Sequence, residues 1–151
     1  MVNVAVVGDL MLDKSEYYRT GERENPENPL VPLVKKSTLK EEYSLGGAGN
    51  LAANIQSMIG NVLLLGPFNP KMPLSQLIMD ISHANNLRFQ GIQTSAPVIV
   101  KTRQYINNQP KLRIDEGDDD PIVIAPEEKQ RIVDILLHGK PAHIIISDYD
   151  K

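Results

Sequence analysis

The sequence predicts an α/β fold organised on a parallel sheet, and three features carry that expectation. Short apolar runs at residues 3–7, 62–65 and 143–146, the first rich in β-branched residues, suit strands buried on both faces. Segments with a helical apolar period lie between them. The third feature is Leu45-Gly46-Gly47-Ala48-Gly49-Asn50, a turn with three glycines in four positions that opens directly into the first helix. Glycine there lets the backbone take φ > 0 and lets a ligand approach the main chain where a Cβ would obstruct it.

Taken in order, Asn3-Val4-Ala5-Val6-Val7 is a strand that stops at Gly8-Asp9. Ligands in open parallel sheets collect beyond the carboxyl ends of strands. Asp9 therefore either accepts hydrogen bonds from ligand hydroxyls or caps the next turn. Between Lys14 and Leu45 no helical period survives and prolines recur, which predicts short strands outside the main sheet, a flap or lid. An exposed edge in such a flap is a candidate surface for pairing with a second copy.

Leu51, Ala52, Ile55, Met58 and Ile59 form one stripe of the helix after the glycine turn. Its first turn aims free N–H groups and the positive dipole end at the glycine loop, which suits hydroxyls or an anion; a tight turn that binds nothing has the same sequence. Residues 62–66 are a second strand, Pro67, Pro70 and Pro73 mark a loop, and Leu74, Leu77, Ile78 and Ile81 a second helix ending near Asn85 and Asn86. Residues 98–106 and 111–115 read as an antiparallel hairpin turning between Asn107 and Pro110. Lys101 and Arg103 share one face of it, as a phosphate site or as the solvated face of an edge strand. The acidic run from Asp115 to Asp120 lacks calcium-loop spacing and reads as a solvated turn. Pro126 opens a third helix that Gly139 ends, and residues 143–147 form a last strand delivering Asp148 to the ligand edge.

Composition narrows the class. The 151 residues make one domain or a large piece of one, and 41% hydrophobic residues with 5% aromatic give an aliphatic core. A formal net charge of −3 provides no basic field for nucleic acid or an anionic membrane. With no cysteine, neither a disulfide framework nor a thiolate metal site can form. Without a leader-like or spanning segment, the expectation is a soluble cytoplasmic protein. His83, His138 and His143 are scattered, and none is assigned to metal or catalysis.

Together, Gly8-Asp9, Asp13, the proline-containing stretch 25–32, Gly46-Gly47-Ala48-Gly49-Asn50 and Ser147-Asp148-Tyr149 resemble the ribokinase-like (PfkB) carbohydrate kinases, and within them the heptose 7-phosphate kinases of ADP-heptose and lipopolysaccharide synthesis. The resemblance runs from Val2 to Lys151. It implies the N-terminal half of a ribokinase-like three-layer sandwich with a small β lid at about residues 14–45. It also implies transfer of the ATP γ-phosphoryl group, with Mg²⁺, to a heptose 7-phosphate. Asp9, Asp13, Gly46, Gly47 and Asn50 would hold sugar hydroxyls, Lys101 and Arg103 would face the sugar phosphate, and Asp148 would neighbour the nucleotide.

Family members are about twice as long, and their Gly-Ala-Gly-Asp turn carrying the catalytic base has no counterpart here. The expected chain is therefore an incomplete domain, without a catalytic residue of its own, that binds sugar but transfers nothing alone. Its expected associations are a homodimer through the lid, or the half it lacks. The rival expectation is a non-catalytic dimerising or regulatory module derived from such a kinase. Two departures from the family pattern remain: the loop after the second sheet strand reads Pro67-Phe68-Asn69-Pro70, and Ile59 stands where glycine is common.

Overall fold

The computed structural model describes residues 2–21, 23–119 and 121–150; Asp120 and Lys151 lie outside the described residues. Among the described residues it contains two four-stranded sheets. The first is parallel, in the order β5-β4-β1-β8, from β1 (Val4–Gly8), β4 (Val62–Phe68), β5 (Arg88–Gln93) and β8 (His143–Ser147). The second has the order β3-β2-β6-β7, from β2 (Leu10–Tyr18), β3 (Lys40–Gly47), β6 (Ile99–Ile106) and β7 (Gln109–Glu116).

Successive side chains of a strand point to opposite faces, so one sheet feeds two cores. Val4, Val6, Val62 and Leu64 pack on α1 (Ala48–Ile59) and α2 (Pro73–Ala84) through Ala48, Ala52, Ile55, Leu74 and Ile78. Ala5, Leu63, Leu65 and Ile92 face the other way, toward Ile132, Ile135 and Leu136 of α3 (Pro126–Gly139). These are the layers of an α/β sandwich. α3 leaves β8 thinly covered: Ile144 is 51% and Ile146 75% exposed. Among the described residues no helix is long and apolar enough to cross a membrane.

Residues 14–45 hold most of β2 and all of β3 but its last two residues. The second sheet also takes in residues 10–13 and the hairpin β6–β7. Its strands are longer than the short ones expected, because Leu10, Met11 and Leu12 are buried at its root. Pro67 stands inside β4, opposite Ile92, rather than in the loop. β5 was not legible in the sequence. Half its residues are polar, and at Gly91 a Cβ would lie 2.6 Å from the Phe68 Cβ.

Asn69 explains the unusual loop after β4. Its side chain donates through Nδ2 to Ser95 O and Ala96 O, both at 3.1 Å, and accepts the Lys71 N–H, while its carbonyl accepts Ser75 Oγ at 2.5 Å. It thereby fastens the start of α2 to the connector between β5 and β6, where the chain passes from one sheet to the other. Asn69→Ala leaves two carbonyls without these donors, and a loss of about 1–2 kcal/mol is expected by urea unfolding. Asn69→Asp, which cannot donate, is expected to lose nearly as much.

Candidate functional site

The glycine turn joins the two sheets. β3 runs antiparallel to β2 up to Gly47, which pairs with Leu10, and α1 begins at the next residue. Gly47 has φ +56° and ψ −130°, and a Cβ on it would lie 2.2 Å from the carbonyl oxygen of Asp9. That carbonyl accepts the Ala48 N–H at 2.9 Å, and the Asp9 N–H donates to Ser147 O at 3.0 Å. Gly8 leaves similar room, since its Cβ would stand 2.0 Å from Ser147 O. The end of β1, the end of β8 and the start of α1 are thus locked together at Asp9.

The Asp9 carboxylate accepts the Tyr149 N–H through Oδ2 at 2.6 Å, which is turn-capping geometry and leaves its other oxygen for a further donor. Asp13 points over Gly46, whose Cβ would lie 2.7 Å from Asp13 Oδ2, so glycine there makes the space this carboxylate occupies. Asp13 Oδ1 accepts Arg103 Nη1 at 2.5 Å. Asn50, exposed in the first turn of α1, accepts Asn54 Nδ2 at 3.4 Å. Among the described residues no side chain caps this helix end, where the Asp9 carbonyl takes the Ala48 N–H.

Asp9, Asp13, Gly46, Gly47 and Arg103 are therefore linked through the turn, whereas the Asn50 side chain bonds along its own helix. Lys101 lies beside Asp13 on β6 but turns to Asp115 at 3.1 Å and Asp118 at 3.2 Å, with its side chain 11% exposed. Those two carboxylates are engaged rather than a purely solvated acidic turn. Asp115 also accepts Arg113 Nε and Nη2 at 2.7 and 2.9 Å. The Arg113 hydrogen bonds hold the Asp115 carboxyl down at about 2, partial burial opposing and Lys101 adding to them. A depressed carboxyl contributes stability above its unfolded value of 3.8 and loses it as pH falls through about 2. The Asp115 carboxyl carbon is expected to titrate by NMR near pH 2, and Asp115→Asn to flatten the stability profile between those limits.

Asp148 is exposed beyond β8, its Oδ1 accepting the Asp150 N–H at 2.8 Å. The neighbouring cleft, about 280 Å³, is lined by Val7, Gly8, Ile132, Leu136, Ile144 and Ile146 together with Asp9, Ser147 and Asp148. Apolar surface and two carboxylates without a cation do not make a triphosphate site, so the residues lining this cleft do not fit ATP. A cleft of about 710 Å³ lies at the far end of the second sheet around Tyr17, Lys40 and Asn108, away from the glycine turn.

The sequence is 38% identical over 152 residues to the bifunctional protein HldE of Proteus mirabilis and 35% identical over 158 residues to that of Pseudomonas putida. These alignments cover 99% and 98% of this chain and 30% of each relative, so the chain spans about three tenths of the curated relatives' length. Among solved structures it is similar to phosphofructokinase-2 of Escherichia coli in complex with fructose-6-phosphate, with TM-score 0.66 and 13% identity over 97% of this chain and 45% of that one. A microbiome-derived acarbose kinase, Mak1, gives TM-score 0.60 and 15% identity over the same shares. No family model matches the sequence.

Proposed function

We propose that this chain, which has the ribokinase-like sugar-kinase fold and is homologous to the HldE proteins along nearly its whole length, is the sugar-binding half of a PfkB-type kinase for heptose 7-phosphate. Asp9, Asp13, Gly46, Gly47 and Asn50 hold the sugar hydroxyls, and Arg103, with Lys101 beside it, faces the sugar phosphate. The observation that carries the reading is the Asp13 carboxylate seated over Gly46, next to an uncapped helix N-terminus and within reach of an arginine. Carboxylates that accept hydroxyl protons and a cation for the phosphate are the groups such a ligand needs.

The chain binds and does not transfer. Phosphoryl transfer depends on a positioned base and on charge stabilisation of the transferred group, and the family's Gly-Ala-Gly-Asp turn has no counterpart in this sequence. ATP, Mg²⁺ and the base come with the rest of the kinase, for which Asp148 is the neighbouring carboxylate. Calorimetric titration with heptose 7-phosphate and, separately, with Mg-ATP tests this: the sugar phosphate is expected to bind and Mg-ATP not to. Binding of neither overturns the sugar site, and phosphorylation of heptose 7-phosphate by the purified chain overturns the half-site.

A second reading, a dimerising or regulatory module, is favoured by exposed apolar side chains in two places. Leu30, Val31 and Leu33 of the lid and Leu112 and Ile114 of β7 lie on the second sheet's side, and Val133, Leu137, Ile144 and Ile146 lie on α3 and β8. Sedimentation of the chain alone and mixed with a full-length homologue decides it. A monomer that neither co-sediments with nor alters that kinase removes the reading.

A further inference from the structure

β6 and β7 are antiparallel and place Arg103 directly opposite Arg113. Like charges facing each other across two strands repel. Here carboxylates divide them: Arg103 takes Asp13 at 2.5 Å, and Arg113 takes Asp115 through two nitrogens. Lys101 is fixed behind them by Asp115 and Asp118. The two arginines are the accessible members, with side chains 37% and 52% exposed against 11% for Lys101.

This arrangement sets one group against another at the site. Asp13 is the carboxylate assigned to sugar hydroxyls, and in the free protein Arg103 occupies it. We infer that the Asp13–Arg103 ion pair is a specificity gate: a ligand phosphate draws Arg103, together with Arg113 across the strand, and so releases Asp13 to the hydroxyls of the same ligand. A phosphorylated sugar exchanges one charge-assisted contact for another, because phosphate takes guanidinium groups bidentately. An unphosphorylated sugar must break the pair and leaves the guanidinium without an anion. The gate rests on the reading of Asp13 proposed above; Arg113 was not singled out by the sequence.

The test combines heptose 7-phosphate, the free heptose and inorganic phosphate on the whole chain. Arg103→Gln is expected to weaken heptose 7-phosphate by about tenfold while strengthening free heptose severalfold, opposite changes that a merely structural residue does not give. Arg113→Gln is expected to weaken the sugar phosphate and leave free heptose unchanged. Independently, inorganic phosphate is expected to shift the Arg103 side-chain nitrogen and Asp13 carboxyl carbon NMR resonances together. Arg103→Gln weakening both sugars alike, or phosphate moving Arg103 without Asp13, overturns the gate. If neither sugar binds the wild-type chain while phosphate still moves both resonances, the sugar reading falls and the exchange stands. If phosphate moves neither resonance, the gate falls whatever the sugars do.

Discussion

Gly47→Ala is expected to destabilise the chain by roughly 3–5 kcal/mol and to remove sugar-phosphate binding with it. Two costs coincide. An alanine must adopt φ +56° with ψ −130°, a region that side chains rarely enter and that costs about 1–3 kcal/mol. Its Cβ must also displace the Asp9 carbonyl oxygen, 2.2 Å away. That oxygen is backbone and already holds the Ala48 N–H, so moving it unfastens α1 from β1. Gly46→Ala is the instructive contrast: its Cβ would meet Asp13 Oδ2 at 2.7 Å and the Met11 Cγ at 2.8 Å, both side chains. Rotation relieves those contacts, so the expected stability loss is about 1 kcal/mol. The rotation nevertheless carries the Asp13 carboxylate away from the turn, so binding falls more than stability. Urea unfolding followed by circular dichroism, paired with heptose 7-phosphate titration, separates the two. A Gly47→Ala chain that unfolds at the wild-type urea concentration contradicts this account.

What the sequence disclosed follows the strength of the local signal. β1, β4 and β8 are continuous apolar runs, α1 and α2 have clear stripes, and the glycine turn is where its composition places it. β5 escaped because it has few apolar residues, and Asn69 escaped because its partners lie about 26 residues away in the chain. Arg113 was hidden by register. Asn107 and Asn108, at φ 50° and 64°, make the two-residue turn between β6 and β7, and counting back from it would set Arg103 against Leu112. A bulge at Gln104/Tyr105 shifts the pairing by one, so Arg103 meets Arg113 on the same face. A one-residue slip turns every later side chain to the other side. The bulge thus decides whether the second arginine shares the face of Asp13 or that of Glu16 and Gln104.

The second large effect is expected on the opposite face of that sheet, at Glu16. The residue is 8% exposed, and its carboxylate accepts Lys14 Nζ at 2.6 Å, Gln104 Nε2 at 2.8 Å and the Tyr18 hydroxyl at 3.0 Å. Burial alone would raise its titration point, but the hydrogen bonds from Lys14, Gln104 and Tyr18 outweigh it and hold the carboxyl below the usual range. The Lys14 ammonium, disfavoured by burial, is held charged by Glu16 and by Glu41 at 2.7 Å. Glu16→Ala strands these donors on β2 and β6, the strands that also carry Asp13 and Arg103. The expected loss is about 2–3 kcal/mol at neutral pH, moderated because Lys14 keeps Glu41. Glu16→Gln retains an acceptor and should lose about half as much. Because the carboxyl is depressed on folding, its contribution is complete above the unfolded value of about 4.3 and vanishes as pH falls through the folded one. The difference between wild type and Glu16→Ala in urea unfolding must therefore shrink below about pH 4. A difference that stays constant with pH would mean that Glu16 acts by filling space in the sheet, and the ionic account of this face would be wrong.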